Sequence, residues 1–168
     1  FQLRLGEVHA RLGDADQAED TLRASIATRR ELFGANSTAE ALALESLTVV
    51  LMRKGETDQA RKTVETAVSI LAAAEHERLP DAMALRAFVV KTVQGADAPA
   101  FTDVGELSDE GLEAVAAAVV YRARLGDPQL AFAVLAELEL VLRELQGPGA
   151  QPRLAVLAEI ANIAGAMG

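Results

Sequence analysis

Apolar residues recur three and four positions apart along most of the chain, as in Leu130, Val134, Leu135, Leu138, Val141, Leu142 and Leu145. That spacing is the signature of a helix with one buried face. Glycines punctuate the periodic runs. "GDADQAEDTL" begins at Gly13 and "GETDQARKTV" at Gly55, 42 residues later, while Ala-Arg-Leu-Gly-Asp at Ala10 to Asp14 returns unchanged at Ala123 to Asp127. Aligning Gly13, Gly55 and Gly126 sets up columns: five residues on stand Ala18, Ala60 and Ala131; nine on, Leu22, Val64 and Leu135; eight before, Leu5, Leu47 and Ala118. Each column is small or apolar in every copy.

These columns predict helix pairs. A glycine supplies the left-handed conformation that ends one helix, and Asp14, Thr57 and Asp127 offer side-chain oxygens to cap the next. Pro128 stands where a first turn tolerates it. The alanine column lets two helix backbones approach, where leucine would overpack by about 1 to 3 kcal/mol. A fixed period near 40 then means that each unit is one helical hairpin that buries its face only against its neighbours.

Leu5-Gly6, Gly13, Ala18 and Leu22, with His9 at a position often aromatic, resemble the tetratricopeptide repeat pattern. The 42-residue spacing is similar to the long variety of kinesin light chains and bacterial relatives rather than the usual period of about 34. In those the second helix and the loop after it are extended, which fits Glu31 to Glu40, where Ser37 and Glu40 form a capping box for the following helix. The resemblance covers residues 1 to 85 and, less closely, 108 to 165. It implies an all-α fold, a right-handed superhelical solenoid of antiparallel hairpins.

Between those stretches the period fails. The columns Leu5, Leu47, Phe88, Ala118 and Leu157 are separated by 42, 41, 30 and 39 residues. The expected units are 1–36, 37–78, a degenerate 79–107, 108–149 and an incomplete 150–168, all in one domain of a larger protein whose sequence continues beyond Phe1. In the third unit a helix is expected from Pro80 to Gln94, with Ser108 capping the next. "ADAPAFTDVGEL" leaves room for at most a turn or two of helix between Pro99 and Gly105. Two readings apply to it: a plug, with Phe101 and Val104 filling the core where a helix is missing, or an acidic contact segment, since no basic residue occurs between Lys91 and Arg122. At the end, Leu154, Leu157, Ile160 and Ile163 are too apolar for a capping helix with a polar outer face. Self-association through exposed terminal helices is therefore expected.

Charge changes the picture mainly by exclusion. Sixteen basic and 25 acidic residues give a net charge of −9, the wrong sign for nucleic acid. Five Phe, one Tyr and no Trp offer little for base stacking. There is no Cys, so disulfides, thiolate nucleophiles and cysteine zinc sites are out, and a reducing, cytoplasmic setting is expected. No apolar stretch reaches the roughly 20 residues of a membrane span.

Catalytic groups do not converge anywhere. His9 falls in a packing column, and His76 follows a long helix, where a cation suits the dipole. No paired histidines, nucleophile elbow around Ser25, Ser46 or Ser69, or phosphate loop near Gly105 and Gly111 appears. No enzyme, metal or cofactor is expected.

What remains is a surface. The resemblance implies that first helices line a concave groove that holds a protein or peptide. By register the groove residues are Glu7 and Arg11; Leu42, Glu45, Val49 and Arg53; Met83, Arg86 and Val90; Ala116, Val120 and Arg124. Arg11, Arg53 and Arg124 each stand two before a glycine, either as a guanidinium row for an acidic peptide or as ordinary last-turn arginines favoured by the helix dipole. Val49, Val90 and Val120 stand where relatives that grip a C-terminal carboxylate use Asn, and Glu45 where they use Lys, which argues against a chaperone-tail clamp. The expectation is a protein-interaction module. Its alternatives are a sensor domain of a bacterial transcription regulator or kinase, and a self-assembly module.

Overall fold

The structure, a computed structural model, describes residues 3, 5–6, 14–95, 98–101, 107–108, 111–112, 114–115, 117–119, 128–146, 156–158, 160–161 and 164. Every regular element among them is helical. The helices are α1 (Ala15–Phe33), α2 (Thr38–Lys54), α3 (Thr57–Ala73), α4 (Leu79–Gln94) and α5 (Pro128–Gln146), with further helical backbone at residues 3, 5 and 6 and at described residues within 111–119 and 156–164. The chain divides into two compact units, Phe1–Ala82 and Met83–Gly168, and the border falls inside α4.

In the first unit α2 packs against both α1 and α3. The column residues Ala18, Leu22, Ala60 and Val64 are fully buried, as are Leu51 and Leu71, each leucine contributing about 1.5 to 3 kcal/mol by leaving water. Leu47 and Ala118 of the earlier column are buried too, whereas Leu5 is 38% exposed. Gly6 packs closely on α1: a Cβ there would lie 2.7 Å from Leu22 Cγ.

The helix ends follow the capping residues with two departures. Asp14 Oδ1 accepts from Gln17 N–H at 3.1 Å. At Gly55 (φ 76°, ψ 12°) α2 closes with Gly55 N–H on Met52 O and Glu56 N–H on Leu51 O, the paired bonds of a Schellman turn. Ser37 Oγ accepts from Glu40 N–H at 3.3 Å, but the Glu40 carboxylate returns to Asn36 N–H (2.8 Å), one residue before the cap. Its other oxygen takes Arg30 at 2.6 Å, so a carboxylate only 1% exposed is fully engaged. Thr57 is not the cap of α3. Glu56 holds that position without a side-chain cap bond, and its carboxylate turns to Lys54 at 3.2 Å. Asp127 lies outside the described residues; α5 opens at Pro128.

The second unit holds the rest of α4, the segment 98–101, the helical residues of 111–119 and α5. Helix α4 begins one residue before the expected Pro80 and ends at Gln94 as expected. Ser108 accepts from Gly111 N–H at 3.2 Å and so starts the following helical turn. Val134, Leu135, Leu138 and Leu142 form the buried row of α5. Phe101 is 4% exposed, in keeping with a plug; Val104 lies outside the described residues. At the far end Val156 is buried while Leu157 and Ile160 are half-buried. Leu154 and Ile163 are not described.

Candidate functional site

Helix α2 carries the best-defined open surface. From Glu40 to Leu51 every side chain is buried except Leu42, Ser46 and Val49, and Arg53 follows four residues later, exposed. Steps of four, three and four place these residues on one helix face. The stripe exists because α1 and α3 cover the rest of the helix. Three of the residues placed in the groove by register, Leu42, Val49 and Arg53, lie on it.

The other groove candidates divide. Glu45, expected beside Leu42 and Val49, is buried, and its carboxylate meets the Arg78 guanidinium at 3.5 Å. Its charge is spent inside the protein. Met83 and Val90 of α4 are 2% and 8% exposed, so they belong to the core in this structure. Arg86 is half-buried and donates to Ala100 O at 3.5 Å. Glu7, Arg11, Ala116, Val120 and Arg124 lie outside the described residues, as does His9. His76 accepts from Arg78 N–H through Nδ1 at 3.1 Å.

Two charged clusters were not singled out by the sequence. Lys54, at the end of α2, meets Asp16 at 2.8 Å and Glu19 at 2.6 Å at the start of α1. Its hydrogen bonds hold Asp16 below the usual carboxylate range, and with Arg23 they lower Glu19 as well. The same contacts, Asp16 first and then Glu19, raise the ammonium above its ordinary value against the opposing effect of burial. The second cluster holds residues 98–101. Lys91, 4% exposed, pairs with Glu137 and donates to Ala98 O at 2.6 Å. Glu137 Oε1 in turn accepts from Ala100 N–H (2.6 Å) and Phe101 N–H (3.1 Å). In the sequence Lys91 stands out only as the last basic residue before an acidic run, and helical periodicity carries no signal for Glu137, which lies beside an apolar row.

Elsewhere the surface is less defined. An open depression of about 550 Å³ lies between the α1–α2 turn and α3, lined by Asn36, Lys62, Thr66 and Ser69 among others, with no buried titratable group. Among the described residues no set of three His, Asp or Glu could hold a metal ion. No helix there is long and apolar enough to cross a membrane.

The family model of the tetratricopeptide repeat matches residues 2–85, half of the chain. The chain belongs to the tetratricopeptide repeat family. Its repeats have solved counterparts. A putative kinesin light chain of Podosopora anserina with nearly identical TPR-like repeats superimposes with a TM-score of 0.54 at 17% identity, covering 99% of this chain and 85% of that one. A second crystal structure of that protein gives the same values. At such identity the likeness shows the fold, an all-helical TPR-like repeat solenoid. No curated protein matches the chain. Tetratricopeptide repeats are generally protein–protein interaction modules, and the α2 stripe of this repeat protein is the surface to weigh in that light.

Proposed function

We propose that this tetratricopeptide repeat chain binds a peptide or partner domain along the open stripe of α2, with Leu42 and Val49 as the apolar contact and Arg53 orienting an acidic residue of the partner. One observation carries the reading: on a helix buried over most of its surface, three of the four residues that the repeat register assigns to the groove, Leu42, Val49 and Arg53, stay open, with Ser46 beside them. Apolar residues flanked by one guanidinium suit a segment that mixes apolar and acidic residues. Glu45 takes no part, because Arg78 already holds it. Met83 and Val90 contribute through the core rather than by contact.

An array of acidic, neutral and basic peptides tests this directly. Wild-type protein should select acidic peptides with apolar residues. Arg53→Glu should weaken the best of them about tenfold or more, and Val49→Asp should abolish them, while Lys62→Glu on α3 should leave binding unchanged. Selection that survives both α2 substitutions would remove the stripe from consideration.

A further inference from the structure

We propose that residues 98–101 are an internal peptide ligand, filling a peptide site built by α4 and α5 that also accepts a partner segment of the same kind: small residues around a proline, then an aromatic residue. The site goes beyond the α2 stripe and can fail without it. It is assembled from three charged side chains, and all of them address the main chain of the segment. Lys91 Nζ donates to Ala98 O at 2.6 Å, Arg86 to Ala100 O at 3.5 Å, and Glu137 Oε1 receives the N–H groups of Ala100 and Phe101 at 2.6 and 3.1 Å. Bonds to a main chain supply affinity with little regard to sequence, and side-chain pockets supply the choice. Here the choice falls on Ala100 and Phe101, 3% and 4% exposed, while Pro99 faces solvent.

The clamp specifies what kind of occupant it fits. A helix interior satisfies its own N–H and C=O groups, so the clamp needs backbone with free groups, in an irregular stretch or a first helical turn; without it Lys91 and Glu137 would have only each other. A buried ion pair without further hydrogen bonds does not recover its desolvation. The backbone of residues 98–101 supplies these partners through Ala98 O and the N–H groups of Ala100 and Phe101. These residues fall within the short, 30-residue spacing between Phe88 and Ala118. Apart from the local bond of Ala98 N–H to Gly95 O at 3.1 Å, the hydrogen bonds that hold this strap come from side chains of two helices, and a peptide from another molecule could make them as well. Arg86, a groove residue by register, is meanwhile occupied by the chain's own carbonyl.

The test uses a blocked synthetic peptide containing Ala-Pro-Ala-Phe, with a control in which Ser replaces Phe. Phe101→Ser weakens the internal ligand and should bind the Phe peptide about tenfold or more tightly than wild type, because a site filled by its own segment shows an affinity reduced by the fraction left open. The Ser peptide should not bind. Adding Lys91→Met and Glu137→Met to Phe101→Ser removes the clamp without stranding a charge, and binding should disappear. Equal affinity for wild type and Phe101→Ser, no binding by a folded Phe101→Ser, or binding that survives the double methionine change would each overturn the proposal. Should circular dichroism show that Phe101→Ser has lost its helices, amide NMR of the wild-type chain in excess Phe peptide decides: shifted Ala100 and Phe101 signals support displacement, and unmoved ones overturn it.

Discussion

At the scale of single residues, small side chains set the distance between helices and large ones report it. Gly6 is the sharpest case, since Leu22 Cγ and Cδ2 would lie 2.7 and 2.9 Å from a Cβ placed on it. Gly6→Ala should therefore lower stability in urea unfolding by about 1 to 3 kcal/mol, and less in a Leu22→Ala background, where the clash is gone. Equal penalties in both backgrounds would contradict the packing. Gly34 makes a different demand. Its φ of 86° and ψ of 162° lie in a region that side chains rarely enter, whereas Gly55 needs only the ordinary left-handed turn. Ala18, Leu22 and Gly55 were legible in the sequence because their roles follow from size or conformation alone. Glu40 was legible as a capping residue, but its pairing with Arg30 was not.

At the scale of elements, one lysine ties the end of α2 to the start of α1. Asp16 and Glu19 are held below their ordinary values of 3.8 and 4.5 by Lys54. Their contribution to stability is thus present above those values and fades as pH falls through the depressed ones. Lys54 has the opposite sign: its raised value makes its contribution complete below 10.5 and lost only as pH rises past that. Thermal unfolding between about pH 5 and 3 should fall more steeply for wild type than for Lys54→Met, which keeps the stem and removes the charge. Parallel pH profiles would show the cluster to be energetically silent. Element boundaries were largely readable, as α4 at Leu79–Gln94 illustrates. The strap was not, since periodicity detects helices and an irregular stretch held by distant charges has no period.

At the scale of the whole molecule, the two units have different inner logic. The first is regular, and α2 forms its centre: Thr48, Val50 and Leu51 are at most 1% exposed, and the Thr48 hydroxyl is satisfied by Leu44 O at 2.9 Å. Amide hydrogen exchange should accordingly be slowest along 43–51 of α2, slower than along α1, whose buried side chains are confined to Ala18, Leu22, Ser25 and Ile26. Faster exchange in α2 than in α1 would place the stable centre elsewhere. The second unit departs from the repeat, and charged side chains rather than a helix hold its irregular part. A net charge of −9 leaves the exposed Arg53 as a local exception, the kind of feature that orients a partner more than it adds affinity.

The sequence by itself determined the hairpin, its length and its recurrence, because a glycine that stops a helix, an alanine that permits close packing and a 3.6-residue apolar rhythm act over a few residues and repeat in register. Only the tertiary structure decided which faces stay open. Val49 and Val90 occupy equivalent places in the repeat, yet one is half-buried and the other is buried. The same holds for Lys91 and Glu137, 46 positions apart, whose pairing depends on where two helices come to rest. Burial and charge pairing belong to neighbours distant in the chain, and no local pattern encodes them.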